Sequence, residues 1–251
     1  MSDDAYRLSF ETAAERYERG RPLYAGDAVA WLAKRIGIGP GRRVLDLGAG
    51  TGKLTRQLVA VGADVVAVEP GAAMRAQLER VVPGAEALAG SAEEIPLPDA
   101  SVDAVTAGQA AHWFRHDEAF REIHRVLRPC GGVGLLWNEW DEDDPLQLEI
   151  KQALAPFRPP RPEIDRDGPP AWRASVDALP LFGPVEERRF PHVIHTDADG
   201  IVEWVSSTSP FIMAAPEDQA SIEALVREAA RGGPCDLVLA TRTFAFDAVA
   251  S

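Results

Sequence analysis

The chain has 251 residues, 46% hydrophobic and 26% charged, with a formal net charge of −13. That balance suits one large domain with a substantial core, and the acidic excess opposes a phosphate backbone, whose binding rests on Lys and Arg contacts. No apolar run reaches the roughly 20 residues of a membrane span, Met1-Ser2-Asp3-Asp4 lacks the basic and apolar stretches of a secretory signal, and Cys130 and Cys235 form neither a disulfide framework nor a metal-type spacing.

These bounds predict a cytoplasmic protein with a small-molecule partner, no nucleic acid, no membrane and no metal; they leave the oligomeric state open. In chain order, Leu8, Phe10, Ala13, Ala14 and Tyr17 fall near helical spacing, as do Val29, Trp31, Leu32 and Ile36, and Gly39-Pro40-Gly41 ends the region. Residues 1–40 are read as a helical lid. Strands and helices then alternate: strand 43–47, helix 51–61, strand 64–68, helix 72–81, a weaker strand 86–89, strand 102–106, helix 117–127 and strand 133–137. This order predicts a mainly parallel sheet with helices on both faces, so residues 41–140 form the core.

Residues 141–184 are read as a linker and insertion. It carries prolines 159, 160, 162, 169 and 170 and follows the acidic cluster Glu139, Asp141, Glu142, Asp143 and Asp144, read as a solvated loop because no histidine adjoins it. Residues 185–251 complete the sheet with a strand 185–194, helices 198–206 and 217–230, and a last strand 237–246.

The most informative segment is Val44-Leu45-Asp46-Leu47-Gly48-Ala49-Gly50-Thr51-Gly52, a buried strand running into a glycine loop. Glycines allow a sharp turn and let a ligand lie on the backbone, at the carboxyl edge where open α/β sheets bind ligands. A triphosphate P-loop is excluded, because Leu47 and Leu54 stand where it needs Gly and Ser or Thr. A dinucleotide fingerprint fits poorly, with Lys53 at its third glycine position.

The string 44–52 instead resembles the first motif of the Rossmann-like (class I) S-adenosylmethionine (SAM)-dependent methyltransferases. Val65-Val66-Ala67-Val68-Glu69-Pro70 is similar to the second motif, Gly90 to Pro96 to the loop edging the adenine ring, Asp99 to Val105 to the fourth-strand motif, and Glu122 to Gly132 to the helix and turn before the fifth strand. Cys130 stands where glycine is commoner. The pattern Phe10, Ala14, Tyr17, Arg21, Pro22, Tyr24 resembles the amino-terminal signature of a small-molecule subgroup, the type 11 or trans-aconitate methyltransferase-like proteins.

The resemblance implies a seven-stranded, mostly parallel sheet with the last strand antiparallel, and SAM as cofactor with S-adenosylhomocysteine as product. It implies that Glu69 takes the ribose hydroxyls, that Tyr17 and Arg21 approach the methionine end, and that Asp46, Gly48, Ala49, Gly50, Pro70, Met74, Ser91, Ala92, Glu93 and Gln109 line the cofactor. His112 is the candidate general base, titrating near neutrality when unperturbed, or else a structural or substrate-orienting histidine. Trp113, Trp137 and Asn138 are candidate acceptor contacts; the tryptophans, with Trp140, equally suit packing. The expected reaction is in-line methyl transfer to an oxygen or carboxylate. A non-catalytic SAM-binding regulator and a nicotinamide oxidoreductase are the alternatives.

Overall fold

A computed structural model describes residues 14–141, 143–157, 171–212 and 214–249. The early helical positions Leu8, Phe10 and Ala13 and the proline-rich 158–170 lie outside the described residues. The strands are β1 (Arg43–Leu47), β2 (Asp64–Val68), β3 (Glu86–Leu88), β4 (Val102–Gly108), β5 (Leu127–Trp140), β6 (Glu186–Thr196) and β7 (Cys235–Asp247), in the sheet order β3-β2-β1-β4-β5-β7-β6. The first five pair in parallel, and β7 runs antiparallel between β5 and β6. The predicted Rossmann-like sheet is present, with its last strand antiparallel.

The central strands read as continuous apolar runs because both faces are covered. After α1 (Ala14–Gly20), α2 (Gly26–Ile36) and α3 (Lys53–Ala60) cover one face; α4 (Ala72–Val81) covers the β2–β3 end, and α5 (His116–Val126) lies on the opposite face. In α5 the buried Ala119, Phe120, Ile123 and Val126 follow helical spacing. Farther on come α6 (Pro145–Leu154), α7 (Ala171–Ala178), α8 (Ala198–Ser206), α9 (Ser209–Ile212) and α10 (Pro216–Ala229). Of these, α6, α8, α9 and α10 build a separate core with Leu237 and Leu239 of β7, whereas α7 buries Trp172 beside Phe120, Phe244 and Phe246.

The segment read as a lid divides in two. α2 belongs to the core: Leu32 lies against Gly134 and Ile36 against Gly132 of β5. A Cβ at Gly132 would overlap the Ile36 side chain, which is fixed between helix and sheet. Gly132→Ala is therefore expected to destabilise the fold by about 1–3 kcal/mol, the cost of overpacking, read as a lowered thermal midpoint. α1 is the part that lies over the glycine loop.

Two predicted segments differ. β5 begins at Leu127, detours through 128–131 and resumes at Gly132, because Val102 pairs with Leu127 and Ala104 with Gly132. Cys130 sits in that detour at φ 61, a conformation that favours glycine. The acidic cluster is also not one solvated loop. Glu139 lies in β5 and pairs with Arg189 and Arg242, while Asp144 caps α6 by accepting from Leu146 and Gln147 N–H.

Candidate functional site

Four loops leave the carboxyl edge of β1, β2, β4 and β5 side by side, since these strands are parallel neighbours. After β1 the chain turns through Gly48, Gly50 and Gly52, all at positive φ. Each glycine has its own reason. A Cβ on Gly48 would stand 2.7 Å from Ala110 Cβ, and one on Gly52 3.0 Å from Leu78 and Val82, where α3 and α4 close up. At Gly50 the nearest atom would be Tyr17 Cε1, at 4.0 Å, so its bare face opens toward the lid.

Glu69 ties the first two loops together. Its carboxylate accepts from Gly50 N–H at 2.9 Å and from Gly71 N–H at 2.8 Å. Gly48 and Ala49 N–H also donate to Val68 O, so the loop is fixed by backbone as well. Pro70 is exposed in the same turn, and Arg75 donates to its carbonyl. Asp46 lies beneath the loop at 0% exposure. It accepts from the hydroxyls of Thr55 (2.6 Å) and Thr106 (3.2 Å), yet burial pushes its carboxyl up to about 7. Met74 is likewise buried, on α4.

α1 is pinned by a carboxylate of its own. Glu18 of α1 accepts from Thr51 Oγ1 at 2.7 Å and pairs with Lys53 and Arg56 at the start of α3. α1 also crosses α8, where Gly20 allows close approach to Glu203 O. Beyond α1, Arg21 lies over the Tyr17 ring at 5.2 Å, and its buried Nε has no hydrogen-bond partner among the described residues. Burial raises the Tyr17 phenol, an effect Arg21 opposes. Residues 23–25 are strapped to the body. Gln57 bonds both the N–H and the C=O of Tyr24, Asn138 Nδ2 donates to Leu23 O, and Ala25 N–H donates to Thr241 Oγ1.

At the β4–β5 edge, Gln109 has φ 56; its N–H donates to Leu136 O and its Nε2 to Asn138 O. Asn138 Oδ1 accepts from Thr241 at 2.6 Å. Tyr17, Arg21, Lys53, Gln109 and Asn138 thus line one open cavity. His112, Trp113 and Trp137 do not line it. Trp137 is stacked on Trp172 and edge-on to Phe244, the packing place that its sequence reading also allowed. His112 is exposed in a short 3₁₀ turn, with Trp113 beside it at 4.7 Å. The loop expected at the adenine edge is held from α5. Ala92 is buried, Ser91 bridges to Glu94, Glu93 accepts from Arg115 N–H, and Ile95 N–H donates to Glu122.

Sequence reasoning did not assign Glu18, Lys53, Tyr24 or Trp204 to the site. Tyr24 stood inside the amino-terminal pattern and was the nearest to being found; a Cβ on Gly108 would overlap its hydroxyl.

A family model described as a methyltransferase domain matches residues 45–134, the span from β1 to β5. The chain is 43% identical over 202 residues to an uncharacterised methyltransferase of Mycobacterium tuberculosis, covering 80% of this chain and 77% of the relative. The chain belongs to the SAM-dependent methyltransferase family. To an uncharacterised methyltransferase-like protein of Schizosaccharomyces pombe this methyltransferase is 32% identical over 221 residues, covering 87% and 84% of the two chains. A structure described as a type II methyltransferase from Anaeromyxobacter dehalogenans matches it with TM-score 0.64 and 26% identity, over 92% of this chain and 97% of the other. Among the described residues, the methyltransferase has no helix long and apolar enough to cross a membrane.

Proposed function

We propose that the chain moves the methyl group of SAM to an oxygen of a small acidic acceptor, a carboxylate first of all. The observation that carries the reading is the buried Arg21 Nε, without a hydrogen-bond partner among the described residues, over the Tyr17 ring that also neighbours the bare face of Gly50. A guanidinium in that position suits a carboxylate bidentately, and the open glycine face admits a nucleoside against the backbone. Arg21 and Tyr17 would hold the methionine end. Glu69 would hold the ribose, because its carboxylate closes β2 beside the glycine loop, accepting from Gly50 and Gly71 N–H, and a charged acceptor suits paired hydroxyls. Gly48, Ala49, Met74 and the 91–93 loop would flank the nucleoside, and Gln109 would fix the backbone at the methyl-bearing end. The bound cofactor supplies an electrophilic methyl and a thioether leaving group.

The protein's part is alignment and exclusion of water. A carboxylate acceptor is ionised without help, and the histidine geometry agrees with that. Trp137 Nε1, a donor only, points at His112 Nδ1 at 3.2 Å. Nδ1 therefore accepts, and the neutral ring carries its proton on Nε2. So held, His112 is a donor rather than a base. The acidic chain favours small acceptors over nucleic acid.

Calorimetric titration with SAM, S-adenosylhomocysteine and NAD tests the reading: the first two bind and NAD does not. Binding of NAD alone would overturn it. Arg21→Ala is expected to raise the S-adenosylhomocysteine Kd about 10- to 100-fold, the loss of a charge-assisted contact. His112→Ala is expected to leave that Kd within about twofold and to slow turnover far less than the 100-fold or more of a missing general base. A large loss in His112→Ala turnover would restore the base assignment and point to a hydroxyl acceptor.

A further inference from the structure

The far end of the cavity is aromatic. Trp140, the last residue of β5, and Trp204 of α8 both line it. Their rings stack with centroids 4.3 Å apart and planes 21° apart. They come from different parts of the fold, the parallel sheet and the carboxyl-terminal helical core, so the partly exposed Trp140 is backed across that junction by the buried Trp204.

Charge on the wall has one sign. Arg21 and Lys53 line the cavity, and among the described residues no carboxylate does. Lys53 is answered by Glu18, but Arg21 Nε is not. On the methyl-transfer reading, donor and product each bring one ammonium and one carboxylate, and the donor a sulfonium besides, so neither neutralises the positive charge of Arg21. The filled cavity then keeps positive charge in a low-dielectric setting, which favours an anion and penalises an ammonium. The polar amides are committed elsewhere. Asn138 bonds Leu23 O and Thr241, and Gln109 Nε2 bonds Asn138 O. Recognition is left to a flat apolar surface and a positive field.

We infer that Trp140 and Trp204 seat the acceptor, and that the acceptor is a flat conjugated acid, an aromatic or arylalkenyl carboxylate. The inference rests on the methyl-transfer reading, since that reading supplies the second occupant of the cavity. Stacking on aromatic faces rewards planar, conjugated bodies over flexible aliphatic ones. The carboxylate needs no base and is drawn to the positive end.

The test uses the full chain saturated with S-adenosylhomocysteine, titrated calorimetrically with cinnamate, adipate and phenethylamine. Cinnamate is expected to bind at least about tenfold more tightly than either of the others. Trp140→Leu is expected to weaken cinnamate about tenfold or more while S-adenosylhomocysteine affinity moves less than about twofold. Trp140→Phe, which keeps a ring, should restore most of the loss and covers the case in which the leucine variant folds poorly. Preference for adipate or phenethylamine, no cinnamate binding to the saturated chain, or indifference of cinnamate to both substitutions would overturn the inference. Failure of S-adenosylhomocysteine itself to bind the unsubstituted chain would instead remove the methyl-transfer reading, and this one with it.

Discussion

Glu69→Ala is expected to weaken S-adenosylhomocysteine binding about 30-fold, or about 2 kcal/mol. The carboxylate has two duties that the substitution removes together. It joins Gly50 N–H to Gly71 N–H and so sets the distance between the two loops. It also presents a negative charge to the two neighbouring ribose hydroxyls, and bonds to a charged acceptor are the stronger kind. Glu69→Gln separates the duties, because the amide keeps one acceptor oxygen but loses the charge. Titration gives the affinity, and a thermal melt without ligand gives the anchoring part. A folded Glu69→Ala chain with an unchanged titration curve would remove the cofactor assignment.

The second large effect is a pH dependence of stability centred on Asp46. Its folded pKa is raised to about 7 from an ordinary value of 3.8, chiefly by burial. Between about pH 4 and pH 7 the folded chain holds a proton that the unfolded chain has released. Stability therefore falls as pH rises through that window, by about 1.4 kcal/mol per unit of pKa difference and about 4 kcal/mol at most. Asp46→Asn removes the titration while keeping groups for Thr55 and Thr106 to bond. Relative to the unsubstituted chain, it should gain stability steadily from pH 4 to pH 7 and hold the gain above. Urea unfolding at pH 5 and pH 8 measures the difference; a variant whose advantage is the same at both would show that Asp46 ionises normally. Asp103 and Glu122, held below the usual carboxylate range by backbone and arginine partners, slope the other way in both chains and cancel in the comparison.

The parallel half of the fold was legible because its strands are covered on both faces. β1, β2 and α4 begin and end where the apolar runs do. The remainder follows contacts that sequence periodicity does not carry. α6 and α7 stand on either side of a proline-rich stretch, and α7 is held by two buried residues, Trp172 and Val176. The site was legible to the level of its loops, since parallel strand order places them on one edge. Side-chain destinations at the end of β5 depended on how far the strand runs. Once it reaches Trp140, alternation sends Trp137 toward α7, and Asn138 and Trp140 toward the lid. The strand 133–137 predicted from the apolar run alone stops short of that distinction. Lys53 was read only as a departure from a dinucleotide fingerprint and Glu18 was not singled out, because their pairing is between segments far apart in the chain.

The place of β7 sets an order of assembly. It fills the gap between β5 and β6, although it follows both in the chain. Until it arrives, a growing chain carries β5 with one ladder open along Gly132–Trp140, a template for wrong partners. The same late strand brings Thr241, the group that receives Ala25 N–H and bonds Asn138. The amino-terminal strap is made early and has Gln57 and Asn138 to fasten to, but its bond from Ala25 waits for Thr241 of the last strand. A nascent methyltransferase therefore has its glycine loop long before it has a closed site, and chains cut short before residue 235 should be found with chaperones or in aggregates rather than as cofactor binders.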